Sequence, residues 1–417
     1  MAENPQSPTE QRSRRVPPRV ILFWIFVIIL ISLGLYAAAP WILPVRVYEG
    51  PLVQMTDAHG ATLVWYTTRP AECRLVVDTG DGEQIYDAEQ VGRRNRVRVA
   101  GLEAGQTYPY RVQVGNRVLT NDLTLQTVAD DDRAYSFLVF GDSGRASQEQ
   151  YLLAAAMMQV RPQPTFLVHT GDIVYSDGAR RKYEARFFAP YRHLLSRVSF
   201  WPCVGNHDID KTGVAEPYQE VFETPANGPE GLPADQNYWF DYASSRFAVF
   251  DSNVNDETLS GRIAPWLREV MSDMGPRWKF AVCHHPPYTG GKYPSDQRLV
   301  QHIVPVLEET GVTIVFSGHD HNYQRTKPLR GGAIVESGQG VTYVVTGAGG
   351  AALYQPKSST PDFLAAFDFD RHSFTHVIID GDELTLRQID ADGEILDKLQ
   401  LRHHAKDVST PVNAKQP

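Results

Sequence analysis

A chain of 417 residues with 42% hydrophobic and 21% charged positions has the composition of a globular protein and exceeds the usual size of one domain. Its formal net charge of -9 excludes a whole-protein field that would attract nucleic acid or an anionic surface, so an anionic ligand needs a local positive centre such as a bound metal.

The first forty residues do not read as part of a globular fold. Arg12, Arg14, Arg15 and Arg19 precede an uncharged run from Val20 to Ala39, which at helical rise spans roughly 30 Å. This predicts residues 1–45 as a cytoplasmic tail and a single-pass membrane anchor, with everything after Pro40 periplasmic or extracellular by the positive-inside rule. A cleaved signal peptide ending at Ala37, Ala38 and Ala39 is the competing reading, and would make the protein secreted. Cys73, Cys203 and Cys283 are too few and scattered for a disulfide framework and read as buried small apolar residues.

From Val47 to Val128 short alternating runs, such as Ala61–Tyr66 and Arg96–Val99, are separated by Gly- and Asp-rich turns. This predicts a small β-sandwich over 46–129. The stretch Gly101–Tyr108 followed by Tyr110-Arg111-Val112 resembles the closing strands of a fibronectin type III domain. The arginines at 93, 94, 96 and 98 could form a basic binding patch, but alternation with Val97 and Val99 assigns Arg96 and Arg98 to the solvated face of a strand.

Beyond a linker at Asp130–Asp132 the pattern changes to strand, loop, helix, strand, which predicts an α/β domain over 133–402. The run Phe137–Phe140 ends in Gly141-Asp142, Ser147 with Gln150 opens a helix by a capping box, and that helix stops before Pro162. Phe166–Val168 then ends in Gly171-Asp172, Phe200–Val204 in Gly205-Asn206-His207-Asp208, Lys279–Val282 in His284-His285, and Thr313–Phe316 in Gly318-His319-Asp320-His321. Sites in open α/β sheets form beyond such strand ends. Strands return at Tyr343–Val345 and Val377–Ile379, and residues 403–417 read as a disordered tail.

Singly, each cluster has an ordinary explanation: a Gly-Asp pair is more often a turn than a ligand, and a lone His a structural residue. Together they make a mixed oxygen and nitrogen donor set suited to iron, manganese or zinc rather than to a sulfur-ligated cluster. Their order resembles the purple acid phosphatase branch of the calcineurin-like metallophosphoesterase superfamily. The matching motifs are Gly141-Asp142-Ser143-Gly144, Gly171-Asp172-Ile173-Val174-Tyr175, Gly205-Asn206-His207, Cys283-His284-His285-Pro286 and Gly318-His319-Asp320-His321. Other branches place a histidine where this chain has Gly144 and a non-phenolic residue where it has Tyr175.

That resemblance implies a four-layer α/β/β/α sandwich and a dinuclear centre of Fe(III) with a divalent Fe, Zn or Mn. Asp142, Tyr175 and His321 would bind the first metal, Asn206, His284 and His319 the second, and Asp172 would bridge them. Two such cations lower the pKa of a bound water and neutralise charge on the phosphate oxygens. His207 is implied as proton donor to the leaving group, the alternative being that it only orients Asn206 or Asp208. Alignment of Pro287 and Tyr288 favours His284 over His285 as ligand, leaving His285 for the substrate or for orienting its neighbours. Plant-type members carry further substrate histidines where Thr289–Gln297 has none, so Lys292, Tyr323 and Arg325 stand as candidate substitutes. The implied activity is hydrolysis of small phosphate monoesters. A phosphodiesterase or nucleotide pyrophosphatase on the same metals, and a non-catalytic cell-surface binding protein, are the alternatives.

Overall fold

The computed structural model describes residues 17–42, 44–210, 213–357 and 359–403, with the backbone alone at 18 and 35–42. The chain divides into two compact units, Met1–Arg46 and Val47–Pro417.

In the first unit a helix, α1, runs over Pro18–Ile42. Among the described residues, however, no helix is long and apolar enough to cross a membrane. The single-pass anchor, and the extracytoplasmic location built on it, are therefore not supported. Residues 1–16 of the expected cytoplasmic tail and 404–417 of the expected disordered tail lie outside the described residues.

The second unit opens with eight strands: β1 (Val47–Asp57), β2 (Gly60–Ala71), β3 (Cys73–Asp78), β4 (Glu83–Asp87), β5 (Gly92–Val99), β6 (Thr107–Val114), β7 (Arg117–Val118) and β8 (Leu123–Gln126). They form two antiparallel sheets, β1-β2-β5 and β4-β3-β6-β7 with β8 on β6. The period-2 pattern holds in β5, where Asn95, Val97 and Val99 are buried and the arginines between them are not. Those arginines are not simply solvated: Arg94 and Arg96 both bind Glu223, and Arg98 binds Asp57.

Strand β2 is buried along most of its length, because Val64 and Tyr66, with Leu52 of β1, pack against Tyr183, Phe187, Phe188 and other residues of the region that follows. Polar contacts accompany this packing. Glu49 of β1, 3% exposed, is gripped by Arg180, and the Tyr110 hydroxyl donates to the Ser196 carbonyl at 2.7 Å.

The remaining strands are β9 (Tyr135–Phe140), β10 (Phe166–His169), β11 (Ser199–Pro202), β12 (Tyr238–Tyr242), β13 (Ser245–Val249), β14 (Trp278–Val282), β15 (Ile314–Ser317), β16 (Tyr323–Thr326), the short pair β17 (Leu329–Arg330) and β18 (Ala333–Ile334), β19 (Thr342–Thr346), β20 (Leu364–Asp368), β21 (Ser373–Asp380), β22 (Glu383–Asp390) and β23 (Ile395–Arg402). One sheet has the order β11-β10-β9-β21-β22-β23 and the other β12-β13-β14-β15-β19-β16-β20.

Phe137, Val139, Phe166 and Val168 of the first sheet meet Phe247, Phe280 and Phe316 of the second in one buried cluster. The outer face of the first sheet, Leu138, Phe140 and Leu167, packs on Leu153 and Met157 of helix α2 (Gln148–Met157). The outer face of the second packs on the helix Ala264–Met271 and its neighbours. Burial on both faces explains why these strands read as continuous apolar runs. The parallel sets β9-β10-β11 and β13-β14-β15-β19 bring their C-terminal ends to the loops that carry the polar motifs.

Helix α2 begins as its sequence requires. Ser147 accepts from the Gln150 N–H at 3.2 Å, while the Gln150 carboxamide oxygen takes the N–H groups of Arg145 and Ala146. The reciprocal arm of the capping box thus reaches one and two residues further back than Ser147 and pins the loop after β9.

Candidate metal centre

Five loops deliver the motif side chains to one cluster. Asp142 follows β9, Asp172 and Tyr175 follow β10, Asn206 and His207 follow β11, His284 follows β14, and His319 and His321 follow β15. Ligand atoms of Asp142, Asp172 and His321 lie within 4.8 Å of one another. The Tyr175 hydroxyl is 2.9 Å from His321 Nε2 and donates to Asp142 Oδ1 at 3.1 Å. Asn206 Oδ1 is 3.0 Å from His284 Nε2 and 3.1 Å from His319 Nδ1. His284 Nε2 also lies 3.5 Å from Asp172 Oδ1, which connects the two groups.

Asp142, Asp172 and His319 have positive φ, at 55°, 58° and 68°, a left-handed conformation that costs of order 1 kcal/mol per non-glycine residue and persists only where the surroundings impose it. The surroundings do impose it. Asp142 Oδ2 accepts from the His319 N–H at 2.9 Å, and Asp172 Oδ1 accepts from the His207 N–H at 2.8 Å. Asp208, fully buried, ties two loops together by accepting from Ile173, Val174 and Gly205 N–H at 2.9–3.1 Å.

Gly144 and Gly318 are required by close approach. A Cβ at Gly144 would stand 1.8 Å from the Ile173 carbonyl oxygen, and one at Gly318 would stand 2.3 Å from Asp142 Oδ2. No histidine can occupy position 144 in this backbone.

The electrostatics are those of a site short of positive charge. Burial, then the neighbouring charge of Asp172, pushes Asp142 up to about 6 against the opposing pull of His321. Burial raises the Tyr175 phenol well above its ordinary value, and the Asp142 and Asp172 charges add to this. Burial holds His284 well below the usual histidine range and His285 and His319 down at about 3. Burial would lower His321 as well, but its contact with the Asp142 carboxylate raises it.

The donors fit metal ions. His284 Nδ1 donates to the Thr170 carbonyl at 2.9 Å and His321 Nδ1 to the Ala352 carbonyl at 2.8 Å. Each therefore presents a bare Nε2 to the cluster, the tautomer a metal-binding histidine needs. In His284 that lone pair faces the Asn206 oxygen, acceptor against acceptor. Two buried carboxylates, an amide oxygen, a phenol and three imidazoles meet with no lysine or arginine ion pair to either carboxylate among the described residues. Cations would relieve the arrangement, and the absence of sulfur suits iron, zinc or manganese.

The other expected residues separate. His207 Nδ1 is 2.8 Å from the Ser176 carbonyl, which turns Nε2 towards Asp172 Oδ2 at 4.0 Å, with the side chain 38% exposed. The His285 ring lies tilted against His319, 4.5 Å between centroids, and its Nδ1 meets Ser252 Oγ at 2.8 Å. Lys292 sits at the rim, its Nζ 3.7 Å from the centre of the Tyr354 ring.

Tyr323 and Arg325 are not brought to the cluster. Strand alternation turns both to the same side, where the Tyr323 hydroxyl donates to Asp397 at 2.7 Å and Arg325 pairs with the same carboxylate at 2.6 Å. Both polar ends are thereby committed to Asp397, which holds β16 against β23.

Several site residues carry no motif. The Tyr354 ring stacks on His321 at 3.9 Å and 11°, and Tyr293 lies over His319 at 4.4 Å. The Arg145 guanidinium stands 4.3 Å over the Tyr175 ring. The only local signal is that Arg145 directly follows the first motif; the tyrosines come from loops after β14 and β19.

Residues 135–323 match the family model "Calcineurin-like phosphoesterase". Among curated relatives, "Probable inactive purple acid phosphatase 9" of Arabidopsis thaliana is 22% identical over 313 residues, covering 64% of this chain and 48% of that protein. The chain thus spans about half the length of this relative. "Purple acid phosphatase 7" of the same plant is 24% identical over 250 residues, covering 54% of this chain and 72% of its own. A purple acid phosphatase structure from yellow lupin (Lupinus luteus) superposes with a TM-score of 0.72 at 18% identity, covering 85% of this chain and 74% of that one, a likeness of fold. The calcineurin-like phosphoesterase domain and these relatives support a hydrolase acting on phosphoric esters.

Proposed function

We propose that the chain is an acid phosphatase, as the name of its relative purple acid phosphatase 7 suggests, and that it hydrolyses small phosphate monoesters at a two-metal centre. The observation that carries this reading is the convergence of Asp142, Asp172, Tyr175, Asn206, His284, His319 and His321 into one buried, cation-deficient cluster. Asp142, Tyr175 and His321 would hold one ion, Asn206, His284 and His319 the other, and the two oxygens of Asp172 would serve both. An Fe(III) ion beside divalent Fe, Zn or Mn supplies Lewis acidity and an activated nucleophile below neutral pH.

The chain's own groups do the remainder. Thr170 and Ala352 carbonyls fix the histidine tautomers, and the buried loops exclude bulk water from the carboxylates. His207, half-exposed and with Nε2 turned inward, is placed to donate a proton to the leaving alkoxide. His285, tied to Ser252, orients His319 by ring contact. The N-terminal sandwich, which we read as fibronectin type III-like, buttresses these loops through Glu49–Arg180 and through the Arg94 and Arg96 pairs with Glu223.

The test is metal content and visible absorbance of the purified chain beside phosphate release from an aryl monoester and the matching diester. Two metals per chain with faster monoester turnover is expected. A visible band lost in Tyr175→Phe while hydrolysis persists would support a ferric phenolate. Metal-free, inactive protein after reconstitution with iron, zinc and manganese would overturn the reading in favour of a non-catalytic binding role.

A further inference from the structure

Two cations stand at the mouth of the cluster without a carboxylate partner among the described residues. Arg145 lies over the Tyr175 ring at 4.3 Å, and Lys292 lies over the Tyr354 ring at 3.7 Å and the Tyr293 ring at 5.2 Å. Other arginines of the protein, such as Arg180 and Arg325, are committed to carboxylates. In a chain of net charge -9, these two cations supply positive charge at the rim of a site whose own carboxylates have no lysine or arginine partner among the described residues.

Their positions are built, not incidental. The Arg145 backbone N–H is held by Gln150 Oε1 at 3.2 Å, one residue from Gly144 in the first motif. The Lys292 N–H is held by Asp320 Oδ1 at 2.9 Å, and Asp320 lies between the two histidines of the last motif. The rings on which they rest belong to the site: Tyr175 contacts His321 at 5.8 Å between centroids, and Tyr354 stacks on the same imidazole. Arg145 and Lys292 therefore flank the Asp142–Tyr175–His321 side of the cluster from opposite ends. Parking a cation on an aromatic face keeps it placed and partly stripped of water while its N–H groups stay free.

We infer that Arg145 and Lys292 recognise a second anionic group on the substrate, so that the preferred esters are small molecules carrying another phosphate besides the one hydrolysed. This rests on the phosphoesterase reading. The metals would hold the scissile phosphate, and the rim would bind the second phosphate through charge-assisted hydrogen bonds.

The experiment compares glucose 1,6-bisphosphate with glucose 6-phosphate on the full metal-loaded chain, and equilibrium binding of methylenediphosphonate with that of inorganic phosphate. Each cation contributing a partly screened contact gives an expected preference of about tenfold for the doubly charged member of each pair. That preference should shrink towards unity in Arg145→Gln/Lys292→Met and weaken between 50 and ~500 mM salt. Lys292→Arg should retain it. A wild-type ratio near one in both readouts, or a ratio unmoved in the double variant, overturns the inference while aryl phosphate turnover by the wild type keeps the phosphoesterase reading intact. Absence of turnover on every ester, with no anion binding, would instead sink that underlying reading.

Discussion

Gly144→Ala tests whether close loop packing sets the geometry of the centre. The new Cβ would stand 1.8 Å from the Ile173 oxygen, 2.6 Å from its carbonyl carbon and 2.8 Å from Val174 Cα. A carbon–oxygen contact needs about 3.3 Å, so one of the two backbones has to withdraw by about 1.5 Å. Neither can do so alone. The Tyr175 N–H donates to the Gly144 carbonyl at 3.0 Å, and the N–H groups of Ile173 and Val174 are anchored by Asp208. The displacement is therefore passed to Asp172 and Tyr175, two of the proposed ligands. Misplacement of reacting groups by about 1 Å costs roughly a hundredfold in rate, and overpacking of this kind costs about 1–3 kcal/mol in stability. Phosphate release, metal content and urea unfolding of the variant should show all three losses together. Gly261→Ala is the control, since a Cβ there meets nothing within 4 Å. Wild-type turnover and metal content in Gly144→Ala would refute the claim that this contact positions the site.

Other substitutions probe the supports around the centre. Arg180→Ala leaves Glu49, 3% exposed, without its partner; loss of a fully buried pair costs about 3–5 kcal/mol, and the 24% exposure of Arg180 places the expected urea-unfolding loss near the lower end. Glu49→Gln in the same chain should recover part of it. Asp208→Ala orphans the buried N–H groups of Ile173, Val174 and Gly205, at about 1–3 kcal/mol each before relaxation, and should lower metal affinity in equilibrium dialysis. His376 on β21 has neither ring nitrogen hydrogen-bonded, and burial, helped by Arg387, holds it down at about 4 from 6.5. The unfolded chain therefore takes up a proton below about pH 6.5 that the folded chain refuses until about pH 4, so stability falls as pH drops through that window, by about 2 kcal/mol at pH 5. His376→Leu should remove this part of the pH dependence in urea titrations at pH 5 and 7, and an unchanged slope would show that His376 is protonated in the fold.

The residues of the candidate metal centre were legible as a group because each motif follows a continuous apolar run, and such a run is what a strand buried on both faces requires. Placing Asp142, Asp172, Asn206, His284 and His319 just beyond strand ends needed nothing but that pattern and the motif order. The same local logic failed at Tyr323 and Arg325. They stand two and four residues past His321, yet the chain has already re-entered a strand there, and period 2 carries both side chains to Asp397 on the other sheet.

What the tertiary structure alone decided is everything that depends on loops meeting across long sequence separations. Tyr354 covers His321, Tyr293 covers His319, the carbonyls of Thr170 and Ala352 choose the histidine tautomers, and Glu49 of the sandwich reaches Arg180. Among the described residues, likewise, no helix is long and apolar enough to cross a membrane, which corrects the span read from the apolar run. Sequence pattern records which residues must be buried or must end a strand, because those constraints are local. It carries no record of which exposed cation comes to rest over which ring, because that is fixed by how separate loops pack.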